Sequence, residues 1–367
     1  MDLDAAYAAC AEVTKREAKN FYYAFLSLPR AQRQAVYALY AFCRESDDVA
    51  DAPKDDAHLL TENRGADRAE NETGAPILLG QSGDVADEPT VDVRPLTEKQ
   101  DAACAPQHEA GAMLTEKRGD AALLLRADGA DRETGAMNLA RKREGLARLR
   151  ERLSRAAAGD PEDGRDLALA DAIARFGVDP DDLSDLITGM EMDLTLSRIE
   201  TDEELERYCY HVASAVGLAT LPILNDGTPP TDAMREAAID LGLGMQWVNI
   251  LRDVAEDLDR DRIYLSREAF HRHGIDERVL QDRRVTDTLR ALFAEHADKA
   301  RALLESGRRL LPMLPRCGRM CPWLLSEIYG RILERIVASG YDVFSGRVSL
   351  PKAEKIGLLL STIWRRR

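Results

Sequence analysis

Two short runs of this 367-residue chain carry acids on helices that are otherwise apolar. The first is Asp47-Asp48-Val49-Ala50-Asp51, a DDxxD. It follows residues 35–43 (AVYALYAFC), which are apolar on every side of a helix and so should be buried. Tyr40, Arg44, Asp47 and Asp51 recur at steps of four, three and four, which puts them on one helical face. Three carboxylates within one turn repel each other, and they sit where the helix dipole is already negative. Both effects raise their pKa values and call for a bound cation.

The second run grows from residues 241–251 (LGLGMQWVNIL). Here Gln246, Asn249, Asp253 and Asp257 follow at steps of three, four and four, again on one face, with Glu256 beside them. Asn and Asp oxygens without His or Cys suit a hard ion such as Mg²⁺, with Mn²⁺ as the alternative. Mg²⁺ binds through a few carboxylates plus substrate phosphates, so two such ridges facing each other would cage metals and a diphosphate. A DDxxD alone reads more readily as a solvated helix end. The pairing of two acid ridges, each with arginine nearby (Arg44; Arg252 and Arg262), shifts the balance toward chemistry.

The elements that must position these ridges read as helices. Ala, Leu, Arg and acidic residues are abundant and aromatics are 5% of the chain, a mix that favours helix over strand. Helical pattern covers 4–51 with a break at Leu28-Pro29. It resumes near Asn138 and continues over 165–176, 180–198, 202–224, 231–258, 283–312, 321–340 and 351–364. No alternating strand pattern stands out. Between these blocks, residues 53–137 lack Phe, Tyr and Trp, and acids outnumber bases about two to one. LTEN at 60–63 returns as LTEK at 96–99 and 114–117, and GADRAENETGA at 65–75 returns shortened at 129–136. This composition reads as a disordered insertion grown by partial duplication, with a partner-binding arm as the sharper alternative. One helical domain, 1–52 with 138–367, is expected around it.

The net charge of −15 argues against a nucleic-acid partner. Six cysteines without a CxxC pair read as reduced, buried thiols of a cytoplasmic protein. The acidic N-terminus lacks a signal peptide's apolar core, and no run approaches the roughly 20 apolar residues of a membrane span.

With these residues in view, FYYAFLSLP, YALYAFCRESDDVAD and NILRDVAEDLDRDRIYLS resemble the squalene/phytoene synthase family of head-to-head prenyltransferases. GMEMDL (189–194), YCYHVASAVG (208–217), IYGRILERI (328–336) and GYDVFSGRVSLPKAEK (340–355) extend the resemblance over all but the insertion. It implies an all-α isoprenoid-synthase bundle with a central cavity. It implies condensation of two prenyl diphosphates through a cyclopropylcarbinyl diphosphate, most simply two geranylgeranyl diphosphates to phytoene in carotenoid biosynthesis. Farnesyl diphosphate to presqualene diphosphate, squalene or dehydrosqualene is the alternative, with NADPH required only for squalene. By the resemblance, Asp47 and Asp51 bind one metal and Asn249, Asp253 and Asp257 others, with Asp48 in the same catalytic cluster. Arg44, Gln246, Arg252 and Tyr329 contact the diphosphate, and Lys19 and Asn20 close over a phosphate. Tyr40 lies at the reacting centre, where it and Tyr37 could offer ring faces to a carbocation. Val212, Ala213 and Gly217 line a tunnel for the prenyl tails.

Departures from the family pattern are Ala18 and Asn20 where serines are frequent, Ala255 for glycine and Ser266 for proline. His211, Trp247 and Tyr264 read better as packing residues than as catalysts. Glu191 and Asp193 read equally as helix caps or as supports of the site. Chain-elongating synthases and terpene cyclases share DDxxD but not NILRDxxED. A non-catalytic assembly protein would be free to lose the acids that are all in place here. The very apolar products imply peripheral contact with a membrane.

Overall fold

In the computed structural model the described residues are 2–18, 21–51 and 117–365, with side chains described for all of these but 117–134 and 362–365. Capping chemistry marks several of the helix starts. Asp2 caps α1 (Leu3–Glu17), and after the short α2 (Phe21–Phe25), Pro29 halts one helix and opens the next, α3 (Arg30–Asp51). α4 (Lys117–Ala157) is followed by α5 (Gly164–Phe176), capped by Asp163 and closed by left-handed Gly177. Asp179 with Pro180 starts α6 (Pro180–Asp193), and Thr201 starts α7 (Asp202–Cys209). α8 (Ala215–Leu224), α9 (Asp232–Arg252), α10 (Val254–Asp259) and α11 (Arg267–Arg272) follow. α12 (Asp287–Gly307), α13 (Leu310–Met313), α14 (Arg316–Ala338) and α15 (Lys352–Arg365) complete the chain.

Among the described residues the only β pairing is an isolated bridge between Arg198 and Ile263, so the all-α reading holds. The chain divides into two compact units, Met1–Ser82 with Arg141–Arg367, and Gly83–Ala140. In the first unit α9 packs against α7, α8, α12 and α14, while α3 packs against α1, α2, α5, α6 and α8. The two acid-bearing helices are therefore central elements, and their apolar residues build one buried core. The four described cysteines other than Cys317 are buried and none is in a disulfide.

Three departures from the sequence reading have local causes. Residues 202–224 are not one α-helix: Tyr210–Ser214 forms a π turn between α7 and α8. Its backbone lies so close to α9 that a Cβ on Gly242 would fall 2.7 Å from the Ser214 Cα, which is why glycine stands there. Residues 231–258 break at Asp253, whose backbone (φ −100°, ψ 11°) leaves the helical region and redirects α10. α4 begins at Lys117, well ahead of Asn138, in a segment that has the helix formers Ala, Leu and Arg but lacks an apolar stripe to betray it.

Candidate active site

The buried face of α3 and the C-terminal half of α9 meet at a cavity. Tyr40, Gln246, Asn249, Tyr329 and Thr220 are its polar lining, and most of its wall is apolar side chains, chiefly from α2, α3, α8, α9 and α14. Phe21 and Phe25 line it, with Phe25 edge-on to Tyr40. Ala213 and Gly217 line it as expected, but Val212 does not; Val216 takes its place. The π turn accounts for this, since its extra residue rotates α8 relative to a continuous helix. Tyr37 is not in the wall either. It packs against Tyr22 and Phe25, behind the surface the sequence reading gave it.

The first acid ridge is buried and under-satisfied. Asp47 is 1% exposed, and neither of its carboxylate oxygens has a hydrogen-bond partner. Burial pushes its pKa well above the usual carboxylate range; Arg44 opposes this, while Asp51, Asp48 and Asp193 add to it. Asp51 is raised to about 7, chiefly by burial and against the pull of Arg262. Arg44 is tied to Asp48 at 2.7 Å, and Asp48 faces solvent, away from Asp47. Asp48 thus steers Arg44 rather than joining the buried pair.

The second ridge is buried, and its Asp253 is engaged by two arginines. Arg252 grips Asp253 through two bonds of 2.7 and 2.6 Å, and Arg347 adds contacts of 3.1 and 3.2 Å. Arg347 also reaches Glu256 at 3.5 Å. Asn249 donates to the Gln246 side-chain carbonyl at 3.1 Å, and the Gln246 amide nitrogen is buried without a partner. Asp257 is buried, and its carboxyl is held well above the usual range by burial and by Asp253. Its backbone carbonyl accepts from the amides of Arg260 and Arg262, closing the turn that follows α10. Asp261 takes the left-handed conformation in that turn (φ 56°) and is held by Arg198.

That turn aims Arg262 at Asp193, which the sequence left undecided. Asp193 is buried and accepts hydrogen bonds from Tyr208 (3.0 Å) and Tyr264 (2.9 Å), whose rings stack 5.0 Å apart. Arg262 approaches it at 3.5 Å. The charge of Asp193 is felt by Asp47, Asp51 and Asp257 alike, so it stands electrostatically between the two ridges. Asp193 is no helix cap. Its neighbour Glu191 is a surface residue paired with Arg150. Arg347 was missed by the sequence reading, and Asp193 was weighed there only as a support of the site or a helix cap. The GMEMDL and SGRVSLP segments were the only signals of them, and neither has an acid or base periodicity of its own.

The remaining singled-out residues are less central. Tyr264 makes its polar contact with Asp193. Trp247 stacks on His296 at 4.3 Å, and His296 Nε2 donates to the Trp247 carbonyl at 3.1 Å. His211 is half-buried, 3.7 Å from Asp185. Lys19 and Asn20 lie outside the described residues.

Among the described residues no three Asp, Glu, His or Cys side chains converge tightly enough to hold a metal alone. The donor set nonetheless fits a divalent cation that brings its own oxygen ligands. Asp47 offers two buried oxygens and Asp51 one, all without hydrogen-bond partners, and every candidate donor is a hard oxygen. Asp253 fits only if it yields one of its arginines.

Comparison with known proteins follows the same lines. The squalene/phytoene synthase family model matches residues 14–110 and 120–354. The 15-cis-phytoene synthase of Synechocystis sp. is 30% identical over 99% of this chain and 86% of its own length. That of Synechococcus elongatus is 29% identical over 96% and 91%. Among solved structures, a dehydrosqualene synthase in complex with ligand aligns with a TM-score of 0.70 at 25% identity, covering 99% of this chain and 97% of its own. A squalene synthase from Alicyclobacillus acidocaldarius aligns with a TM-score of 0.66 at 22% identity, covering 93% and 96%, a likeness of fold.

Proposed function

The chain belongs to the squalene/phytoene synthase family, and from that premise we propose that it condenses two geranylgeranyl diphosphates head to head into phytoene. One observation carries the reading: an apolar cavity is lined by Tyr40, Gln246, Asn249 and Tyr329, and the first three share helices with the buried acids Asp47 and Asp253. A long apolar tail fits the walls, and a diphosphate fits the polar lining.

Asp47, Asp51, Asn249 and Asp257 would hold Mg²⁺, with Asp253 joining them as an arginine turns away. Bound Mg²⁺ would draw off the negative charge that develops on the diphosphate as the allylic C–O bond breaks. Arg44, Arg252 and Arg347 offer forked N–H donors to the same oxygens. Arg347 is the natural group to exchange Asp253 for a phosphate, since Arg252 alone keeps two bonds to that carboxylate. The cavity wall keeps water from the carbocation, and Tyr40, 3% exposed, presents a ring in which burial holds the hydroxyl protonated. The second double bond then attacks within the same enclosure, where the tails cannot diffuse apart.

A C30 product from farnesyl diphosphate is the second reading, favoured by the fold and the 25% identity shared with a dehydrosqualene synthase. Both readings take the synthase to be residues 1–52 and 138–367, with 53–137 an insertion free to bind a partner. No described helix is long and apolar enough to cross a membrane. Contact with a bilayer surface would instead use α15, where Ile356 and Leu360, one turn apart, are 45% and 54% exposed.

The test is incubation with Mg²⁺ and either geranylgeranyl or farnesyl diphosphate, with and without NADPH, followed by mass spectrometry of the extract. A C40 hydrocarbon from the C20 substrate is the expected result. A C30 product alone would move the assignment to the second reading, and neither product nor pyrophosphate from folded protein would refute both.

A further inference from the structure

The last turn of α3 presents a physical problem. It carries Asp47 and Asp51, yet the final carbonyls of any helix lack partners within it, and this end bears a negative dipole beside buried acids. A helix end in that state frays unless something holds it. The first unit of the molecule supplies the hold from α4. The Lys142 ammonium donates to the carbonyl of Ala50 at 2.7 Å, a bond between residues 92 apart in sequence. One turn on, α4 comes so close to α3 that a Cβ on Gly145 would lie 2.7 Å from a methyl of Val49. Leu146 and Leu149, on the same stretch of α4, are buried. Further along, Arg152 bridges to Glu45 of α3 and to Asp163 and Asp166. The two helices are thus joined at three successive levels, and Lys142 occupies the level of the metal-binding acids.

Lys142 is half-buried, and the charged groups that face it are Asp51 and Arg262. Its bond goes to the backbone rather than to either carboxylate. It therefore fixes the turn without consuming an oxygen that a cation would need. It also adds a positive charge near Asp51, alongside Arg260 and Arg262.

We propose that Lys142 is a positioning residue for the first metal site: by tying the Ala50 carbonyl to α4 it holds Asp47 and Asp51 on one face at the end of α3. The proposal rests on the synthase reading above. It also bears on residues 53–137, which lie in sequence between Asp51 and Lys142. A clamp between the residues that flank them lets an insertion sit next to the metal site in sequence without setting the site's geometry.

The experiment uses the full chain and three variants: Lys142→Met, Lys142→Arg and Arg152→Met. Titration calorimetry with Mg²⁺ and inorganic pyrophosphate measures binding, and the Mg²⁺ concentration for half-maximal turnover is measured beside it. Lys142→Met should weaken Mg²⁺-pyrophosphate binding and raise the Mg²⁺ requirement about 10-fold, the usual scale for losing a group that orients a metal ligand. Turnover at saturating Mg²⁺ should change far less, and Lys142→Arg should restore most of the affinity. Arg152→Met, which breaks the same helix pair farther from the acids, should lower the melting temperature more than Lys142→Met but leave the Mg²⁺ requirement near wild type. If Lys142→Met does not fold, Lys142→Gln is read in the same way. Unchanged Mg²⁺ binding in the Lys142 variant, or an equal loss in Arg152→Met, overturns the proposal while leaving the synthase reading intact. Wild-type protein that binds no Mg²⁺ with pyrophosphate overturns both.

Discussion

The two acid ridges are built from the same residue types at nearly the same spacing, and they are electrostatically opposite. On α3, Asp47 is buried with no hydrogen-bond partner for either oxygen. On α9, Asp253 is equally buried but is gripped by Arg252 and Arg347. The first ridge is destabilised as an anion and gains directly from an arriving cation. In the second, Asp253 is already neutralised and must exchange partners. This difference suggests a division of labour: one ridge offers ready oxygens for metal, while the other stores arginines that a diphosphate can draw away.

The largest test of that contrast compares Asp47→Asn with Asp253→Asn. Both should lose activity by about 10³-fold, since each removes a group that stabilises the leaving charge. Their metal-free melting temperatures should move in opposite directions. Asp47→Asn removes a buried carboxyl that has no partner and should raise stability. Asp253→Asn strands the buried Arg252 and takes from Arg347 one of its two carboxylates, and should cost about 3–5 kcal/mol. Thermal denaturation beside a turnover assay decides it, and shifts of the same sign would dissolve the comparison.

A smaller effect should come from Arg347→Met. Asp253 keeps its two bonds to Arg252, so the fold should be little changed. Binding of inorganic pyrophosphate with Mg²⁺ should weaken about 10- to 100-fold, because a charged hydrogen bond to the diphosphate is worth about 1.5–3 kcal/mol. Unaltered affinity would remove Arg347 from the site.

Next in size is a pH effect. Asp51 titrates at about 7 in the fold and near 4 when unfolded, so between those values the native state binds the extra proton. Stability of the metal-free protein should therefore be greatest below pH 4 as far as this group is concerned, and should fall as pH rises toward 7. Asp51→Asn should flatten that slope in a series of denaturant titrations. The smallest effect lies away from the ridges, at His296. Burial holds it down at about 4 against its ordinary value near 6.5. The unfolded chain binds the extra proton in that window, so this contribution is complete above pH 6.5 and is lost as pH falls toward 4. The loss is on the order of 1 kcal/mol per pH unit. His296→Phe should remove it without touching turnover.

Much of the site was legible in the sequence because helical periodicity is local. Steps of three and four place Tyr40, Arg44, Asp47 and Asp51 on one face whatever surrounds them, and the same holds for Gln246, Asn249, Asp253 and Asp257 up to the break at Asp253. Asp48 shows where that logic stops. It is adjacent to Asp47 in sequence, yet it lies on the exposed side and serves Arg44. Tyr37 and Val212 were misplaced by one helical position or one π turn, differences that spacing alone does not reveal.

The sequence by itself determined that the chain is helical, that two acid ridges grow from buried helices, and that hard oxygen ligands predominate. Apolar period, capping residues and donor type are properties of short segments, and they survive without knowledge of neighbours. Only the tertiary structure decided which acids are paired. Arg347 meets Asp253 across 94 residues, Arg262 meets Asp193 across 69, and Lys142 meets Ala50 across 92. Those partners are chosen by how the helices pack, and in a buried site the presence or absence of a partner sets the charge, the pKa and the readiness to bind a cation.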